Sequence, residues 1–302
     1  MLIVNPYATA VSDRLRSLVV HALGTRYAVT TIDTERRDHA TALSREAAAE
    51  GYDVVVAFGG DGTVNEVANG LVGSATPLSC LPGGSANVFC RILGIPADVV
   101  EATEHLLQVA DDFHPRRVDV GVVGTRRFLF SSGAGLDASV VKHVDSRARL
   151  KRRLGAYYFG YVAIARFSRD YLLRAPRLRV EIGDRRVEGI TLIVQNADPF
   201  TYFRERPIRV CAGAGLETGT LAAALLKRAG PLTLPTLTAR LLSGRASAVG
   251  RHSRIEGLSR ASQIGVAGVA GRPFPLQVDG DYIGMFDEVA FSVEPRALAV
   301  VA

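Results

Sequence analysis

The first hundred residues alternate between two kinds of apolar spacing. Short continuous runs at 1–4, 27–32, 52–58 and 78–81 have the character of strands buried on both faces of a parallel sheet. Between them, apolar positions return at helical intervals. Val11, Leu15, Leu18, Val19 and Ala22 share one face before Gly24, and an Ala-rich segment at 39–50 is stopped by Gly51. Further helices are expected over 63–71 and 88–93, and Pro96 opens another that runs to about Val109. This β-α-β-α order predicts a doubly wound parallel sheet.

Near Phe113 the pattern changes. Polar–apolar alternation predicts strands at 118–123, 127–131, 178–182, 186–194 and 208–211, with more at 221–226, 263–269, 276–278 and 289–293. Many short strands at close spacing predict a β-sandwich. The expected organisation is an α/β domain over 1–115, a β-rich domain over 116–288 and an apolar tail over 289–302.

Composition adds bounds. At 302 residues, 48% hydrophobic and 22% charged, the chain can fill two cores. A net charge of +6 permits attraction to nucleotides or anionic lipid surfaces without choosing between them. Cys80, Cys90 and Cys211 are odd in number and lack metal-ligand spacing, so packing thiols are expected rather than a disulfide framework. No apolar run reaches membrane-spanning length, and the N-terminus has neither a basic region nor a long apolar one, so a cytoplasmic protein is expected. The basic residues carry no stacking-aromatic motif, which argues against nucleic acid.

The candidate chemistry sits where two apolar runs break. After 52–58 comes Gly59-Gly60-Asp61-Gly62, then Thr63 and a helix; after 78–81 comes Pro82-Gly83-Gly84-Ser85-Ala86-Asn87, then a second helix. Glycine takes positive φ and lets a backbone approach a ligand, while a helix N-terminus attracts anions, so strand, glycine loop and helix start together suit phosphate. Asp61 would repel bare phosphate. It fits if it holds Mg²⁺ on a nucleotide or takes a proton from an attacking hydroxyl. Simpler readings stand beside this: Thr63 and Glu66 as a capping box, Asn87 as a cap, Asp-Gly as a turn pair. The first loop matches neither a P-loop nor a dinucleotide fingerprint.

GGDGTVNEVANGL followed by LPGGSANVFCRILGIP resembles the diacylglycerol kinase catalytic-domain family, whose bacterial lipid kinases are related to sphingosine and ceramide kinases. The resemblance extends from Ile3 to about Val293. It implies an ATP- and Mg²⁺-dependent lipid kinase, most simply one converting diacylglycerol to phosphatidic acid. It also implies an active-site cleft between the two domains and a C-terminal tail that returns to the first. Carried over position by position, it assigns nucleotide binding to Asn5, Gly59, Gly60, Asp61, Gly62, Thr63, Glu66, Gly83, Gly84, Ser85, Asn87 and Asp279. Asp61 is the metal residue, and Asp61 or Asp281 the general base. Asp281 stands where the family has Glu, one methylene longer.

Other stretches match in part. In Gly133-Ala134-Gly135-Leu136-Asp137-Ala138 the resemblance gives Asp137 a role in substrate recognition or in catalysis; the alternative is a helix N-cap. After Asn5-Pro6 the chain lacks the family's glycines. Asp119 and Asn196 fall on family positions, Asp119 as a structural one. At Glu217-Thr218-Gly219 the second acidic residue of a structural Mg²⁺ site is replaced by Thr. In Gln277-Val278-Asp279-Gly280-Asp281 the Asp-Gly pair is also a simple hairpin turn. Arg147, Arg149, Lys151, Arg152 and Arg153 form either a solvated face or a peripheral contact with anionic lipid, with Tyr157, Tyr158, Phe159 and Tyr161 after them as core or an apolar slot. Rival readings are an NAD kinase, which shares G-G-D-G, and an inert nucleotide- or lipid-binding regulator. The sequence leaves a homodimer and the identity of the lipid open.

Overall fold

A computed structural model describes residues 1–145, 162, 177–230 and 232–302. The basic run at 147–153 and the aromatics at 157–161 lie outside the described residues. Contacts divide the chain into two units, Met1–Asp119 with Arg296–Ala302, and Val120–Pro295.

The first unit is the α/β element series. Its strands are β1 (Leu2–Val4), β2 (Thr31–Asp33), β3 (Val55–Gly59) and β4 (Leu78–Pro82), parallel, in the order β2-β1-β3-β4. Every residue of β1, β3 and β4 is buried, as continuous apolar runs require. Between them run α1 (Asp13–Gly24), α2 (His39–Ala49) and α3 (Asp61–Leu71), and after β4 come α4 (Val88–Ile92) and α5 (Val99–Asp111). Helix α2 packs on α3, and α1 on α5. Helix α5 starts at Val99 rather than Pro96, because the Asp98 carboxylate accepts from the Val100 and Glu101 amides and so fixes the cap.

The second unit is built on two larger antiparallel arrays of strands and a separate two-stranded hairpin. Its elements are β5 (Arg116–Val123), β6 (Arg126–Phe128), β7 (Ser131–Gly135), α6 (Leu136–Asp145), β8 (Leu178–Ile182), β9 (Arg185–Gly189) and β10 (Thr191–Gln195). The hairpin β11 (Thr201–Phe203) and β12 (Arg206–Ile208), β13 (Leu221–Leu226), α7 (Thr233–Leu242) and α8 (Ala246–Gly250) follow. Last come β14 (Ile255–Ala261), β15 (Gln263–Gly268), β16 (Phe274–Val278), β17 (Asp281–Phe286) and β18 (Glu288–Val300). One sheet has the order β14-β13-β10-β7-β16-β17; the other places β9, β8, β15 and β18 side by side, with β5 paired to β18 and to β6.

Leu192, Val194, Leu221, Ala223 and Leu225 from the first sheet pack with Leu178, Val180, Ile264, Val266 and Phe291 from the second. Phe128 meets Phe291 edge-on at 6.3 Å. The intervening residues Ala222, Ala224 and Leu226 turn to the opposite face and join a separate apolar cluster with α7. A sheet covered on both sides explains why all six residues of β13 are buried. Strands β5 and β18 each pass from one unit to the other, and the Asp119 carboxylate accepts the Arg296 amide (2.9 Å) at the returning strand.

Candidate active site

The site residues expected from sequence fall into two groups, one in each unit. In the first unit the two glycine loops lie against each other. Strands β3 and β4 end side by side, with Gly59 opposite Pro82, and the Gly83 amide donates to the Gly59 carbonyl (2.8 Å). A methyl group on Gly83 would come within 2.8 Å of the Gly59 Cα, and one on Gly84 within 2.7 Å of the Gly60 Cα. None of Gly59, Gly60, Gly62, Gly83 or Gly84 has positive φ. Positive φ was expected of these glycines; what Gly83 and Gly84 require is the close approach of one loop to the other, while a methyl group on Gly59 would lie 2.6 Å from the Thr63 hydroxyl.

Helix α3 begins with Asp61, and its N-cap is Gly60, which brings no capping side chain. The first turn thus carries one carboxylate beside amides that a helix leaves without intrahelical partners. Asp61 Oδ1 accepts the Phe89 amide (3.1 Å) in the first turn of α4, so the carboxylate ties the two loops together. Asn5 Nδ2 donates to the buried Thr63 hydroxyl (3.0 Å), and Asn5 Oδ1 accepts from the Tyr7 amide (3.0 Å). The Ala10 amide donates to the Gly83 carbonyl (2.8 Å), which pins the first loop to the second glycine loop.

Asn87 and Glu66 each make hydrogen bonds within the first unit. Asn87 stands at positive φ before α4, accepts the Gly84 amide at Oδ1 (2.8 Å) and donates from Nδ2 to the Gly84 carbonyl (2.8 Å). It closes the second loop on itself, and Ser85 is left exposed at the loop tip. The capping box expected from Thr63 and Glu66 does not form, because α3 starts two residues earlier. Glu66 instead accepts the Ala40 amide (3.2 Å) at the start of α2, and burial raises its pKa.

In the second unit the motif residues form one network. The Asp279-Gly280 pair has positive φ at both positions and joins β16 to β17 with Val278 opposite Asp281, a two-residue hairpin of the kind Asp-Gly favours. The buried Asp279 carboxylate accepts the amides of Leu129 (2.6 Å), Phe130 (3.0 Å) and Ser131 (3.0 Å). Those bonds interrupt the chain between β6 and β7, where one strand over 127–131 was expected. Asn196 adds to the same junction by donating to the Leu129 carbonyl (2.8 Å).

Gln277 is the residue that sequence reasoning quoted without assigning a role. Its Oε1 accepts the Gly280 amide (2.9 Å), which leaves Nε2 to donate to Asp137 Oδ2 (2.6 Å). Asp137 lies inside the first turn of α6, not at its N-cap. Gly133 clears the space for it: a methyl group there would lie 2.1 Å from Asp137 Oδ2. Burial pushes the Asp137 pKa up from its ordinary 3.8 to about 6, against the opposing effect of the Gln277 hydrogen bond.

Beside Asp137 is a cavity of about 200 Å³. Leu136 and Val140 of α6, Ile193 of β10, and Leu234, Leu237 and Leu241 of α7 contribute to its wall, and among the described residues lining it Asp137 is the one that is ionisable. Asp281 opens β17, half-buried. At 217–219 the Thr218 hydroxyl is engaged with the Gly215 and Thr220 carbonyls. Among the described residues, no three His, Cys, Asp or Glu side chains cluster as metal ligands would.

Residues 1–123 match the family model described as the diacylglycerol kinase catalytic domain. A protein of Chromohalobacter salexigens named "Probable lipid kinase YegS-like" is 38% identical over 158 residues, 51% of this chain and 49% of its own length. A Staphylococcus haemolyticus protein named "Diacylglycerol kinase" is 32% identical over 171 residues, 55% of this chain and 48% of its own. The aligned part thus spans about half the length of these kinase-family relatives. The fold is shared more widely. A solved structure from Bacillus anthracis str. Sterne superposes with a TM-score of 0.76 at 22% identity, over 99% of this chain and 95% of its own. A second from the same strain, described as a diacylglycerol kinase, gives 0.68 at 18% identity with the same coverage. Among the described residues, no helix is long and apolar enough to cross a membrane.

Proposed function

We propose that the protein is an ATP-dependent lipid kinase that transfers the γ-phosphoryl group to a lipid hydroxyl, with diacylglycerol as the first acceptor and phosphatidic acid as its product. The reading rests on one observation above the others: an apolar cavity with a single ionisable residue, Asp137, among the described residues of its wall. Such a wall suits acyl or other hydrocarbon chains with a hydroxyl at the polar point, and it does not suit NAD, which needs many polar partners.

The division of labour follows the two groups. Gly59, Gly60, Gly62, Thr63, Gly83, Gly84 and Ser85 bind the phosphates through the paired loops and the start of α3. Asn5 and Asn87 hold those loops in place through the hydrogen bonds described above. Mg·ATP supplies the transferable group, and Asp61 holds the metal. Asp137 orients the acceptor hydroxyl. Asp281 takes its proton as the new O–P bond forms and the bond to ADP breaks. Most of the acceleration comes from positioning and charge neutralisation, as elsewhere in phosphoryl transfer. Asp279 acts through the chain it clamps, since its carboxylate is engaged with three amides. Contact with a membrane surface and a cytoplasmic location belong to the same proposal.

Transfer from γ-labelled Mg·ATP to diacylglycerol, sphingosine, ceramide and NAD, each beside Asp61→Ala, tests it. A labelled lipid that disappears in the variant is the expected result. Labelled NADP would replace the acceptor class, and nucleotide binding without any labelled product would leave an inert regulator.

A further inference from the structure

Helix α7 is apolar on two opposite faces. Leu234, Leu237 and Leu241 recur at helical spacing and line the cavity. At about 100° per residue, Leu232, Pro235, Ala239 and Leu242 fall on the other side. All four are exposed, Leu232 at 72% and Leu242 at 52%. Exposed leucines on the outer face of a helix whose inner face is already packed gain nothing from water, and they suit a contact with lipid. The one charged side chain of α7 is Arg240, whose guanidinium donates to the Ala248 carbonyl (2.6 Å).

In the stretch of sequence that carries this helix, the charged residues have a single sign. From Thr218 to Ile255 the chain has Lys227, Arg228, Arg240, Arg245, Arg251 and Arg254 and no Asp or Glu. Lys227 pairs with Glu256 (3.3 Å) and Arg254 donates to the Thr233 hydroxyl. Arg228, Arg245 and Arg251 are exposed, and no carboxylate faces them among the described residues.

We propose that α7 and α8 form a docking face for an anionic lipid bilayer, with Leu232 and Leu242 in the headgroup boundary and Arg228, Arg245 and Arg251 at lipid phosphates. Apolar side chains flanked by arginines are the composition of helices that lie in a membrane interface. A second copy of the chain is disfavoured as occupant, because a two-fold contact would set these cations against their own images. This face differs from the basic run at 147–153. It rests on the lipid-kinase reading only in taking the cavity under the same helix to receive lipid.

The test is sedimentation of the full chain with vesicles of phosphatidylcholine alone and of phosphatidylcholine mixed with phosphatidylglycerol. Wild type should pellet with the mixed vesicles and be released by salt. Leu232→Asp with Leu242→Asp, and separately Arg245→Glu with Arg251→Glu, should each lower that binding about tenfold or more. Transfer to a short-chain diacylglycerol dissolved as monomers should be unchanged in both, which also shows that both variants fold. Equal vesicle binding by the variants, or no binding by wild type, overturns the proposal. So does a wild-type dimer that the leucine variant dissociates without change in vesicle binding, which would give the face to a second copy. Vesicle binding that responds as expected, with no transfer to any acceptor, supports the docking face while removing the kinase reading.

Discussion

At the scale of single residues, Asp137 is where burial and chemistry meet. Its carboxyl sits beside an apolar cavity with one hydrogen-bond donor, Gln277, and its pKa rises to about 6. Between its ordinary 3.8 and that value, the folded chain keeps a proton that the unfolded chain has released. Stability therefore falls as pH rises through this window, and the whole cost is in force above pH 6. At about 1.4 kcal/mol per pH unit, the step corresponds to about 3 kcal/mol. Asp137→Asn keeps an oxygen for Gln277 and removes the ionisation. The variant should exceed wild type by roughly 1–3 kcal/mol at pH 7.5 and match it near pH 4, measured by urea unfolding at both. A gain of the same size at both pH values would show that burial of the charge is not its source. If the carboxylate orients the acceptor, the same variant loses transfer activity while gaining stability, a pattern usual for functional groups kept against the interest of the fold.

Among the elements, the paired glycine loops separate two reasons for a glycine. Gly84 has no room: its added methyl meets the Gly60 backbone at 2.7 Å, and backbone cannot step aside as a side chain can. Gly60 has more, with its nearest contact, the Gly84 Cα, at 3.4 Å. Gly84→Ala should cost about 2 kcal/mol or more by chemical denaturation, whereas Gly60→Ala should cost less than about 1 kcal/mol. If Gly60 serves close approach to phosphate, Gly60→Ala should still weaken Mg·ATP binding at least tenfold by calorimetry. Unchanged affinity would leave that glycine a purely structural role. The sequence made both loops visible because strand, glycine and helix adjoin within a few residues. It could not show that the loops press on each other, since that contact joins residues 24 positions apart.

Legibility followed the same rule elsewhere. β13, a continuous apolar run, was evident, whereas β14 (IEGLSRA) and β17 (DYIGMF) mix glycine, charge and apolar residues and give no steady alternation. Helix α7 was missed because Pro235, which the structure places in its first turn, reads in sequence as a breaker, and leucines on several sides leave no single face in the pattern. The clamp of Asp279 on the amides of 129–131 was equally hidden, as it spans about half the chain.

At the level of the whole molecule, the first unit is not a continuous piece of chain. Its last contribution, Arg296–Ala302, arrives after the entire second unit has been made. Val300 pairs with Leu78 in β4, the Val301 amide donates to the Leu78 carbonyl (3.0 Å), and the Gly73 amide donates to the Ala297 carbonyl (2.9 Å). Leu298 and Val300 are fully buried. The strand carrying the second glycine loop is thus flanked on one side by residues at the far end of the chain. Leu298→Ala removes buried methyl groups from this junction and should cost about 2–5 kcal/mol. Hydrogen exchange should show faster opening of β4 and of the segment after Leu71, with the two sheets of 120–295 less affected. Because the loop at 83–87 continues directly from β4, the variant should also bind Mg·ATP more weakly although Leu298 belongs to neither glycine loop. Slow exchange retained in β4 together with full nucleotide affinity would show that the first unit is complete without its returning strand.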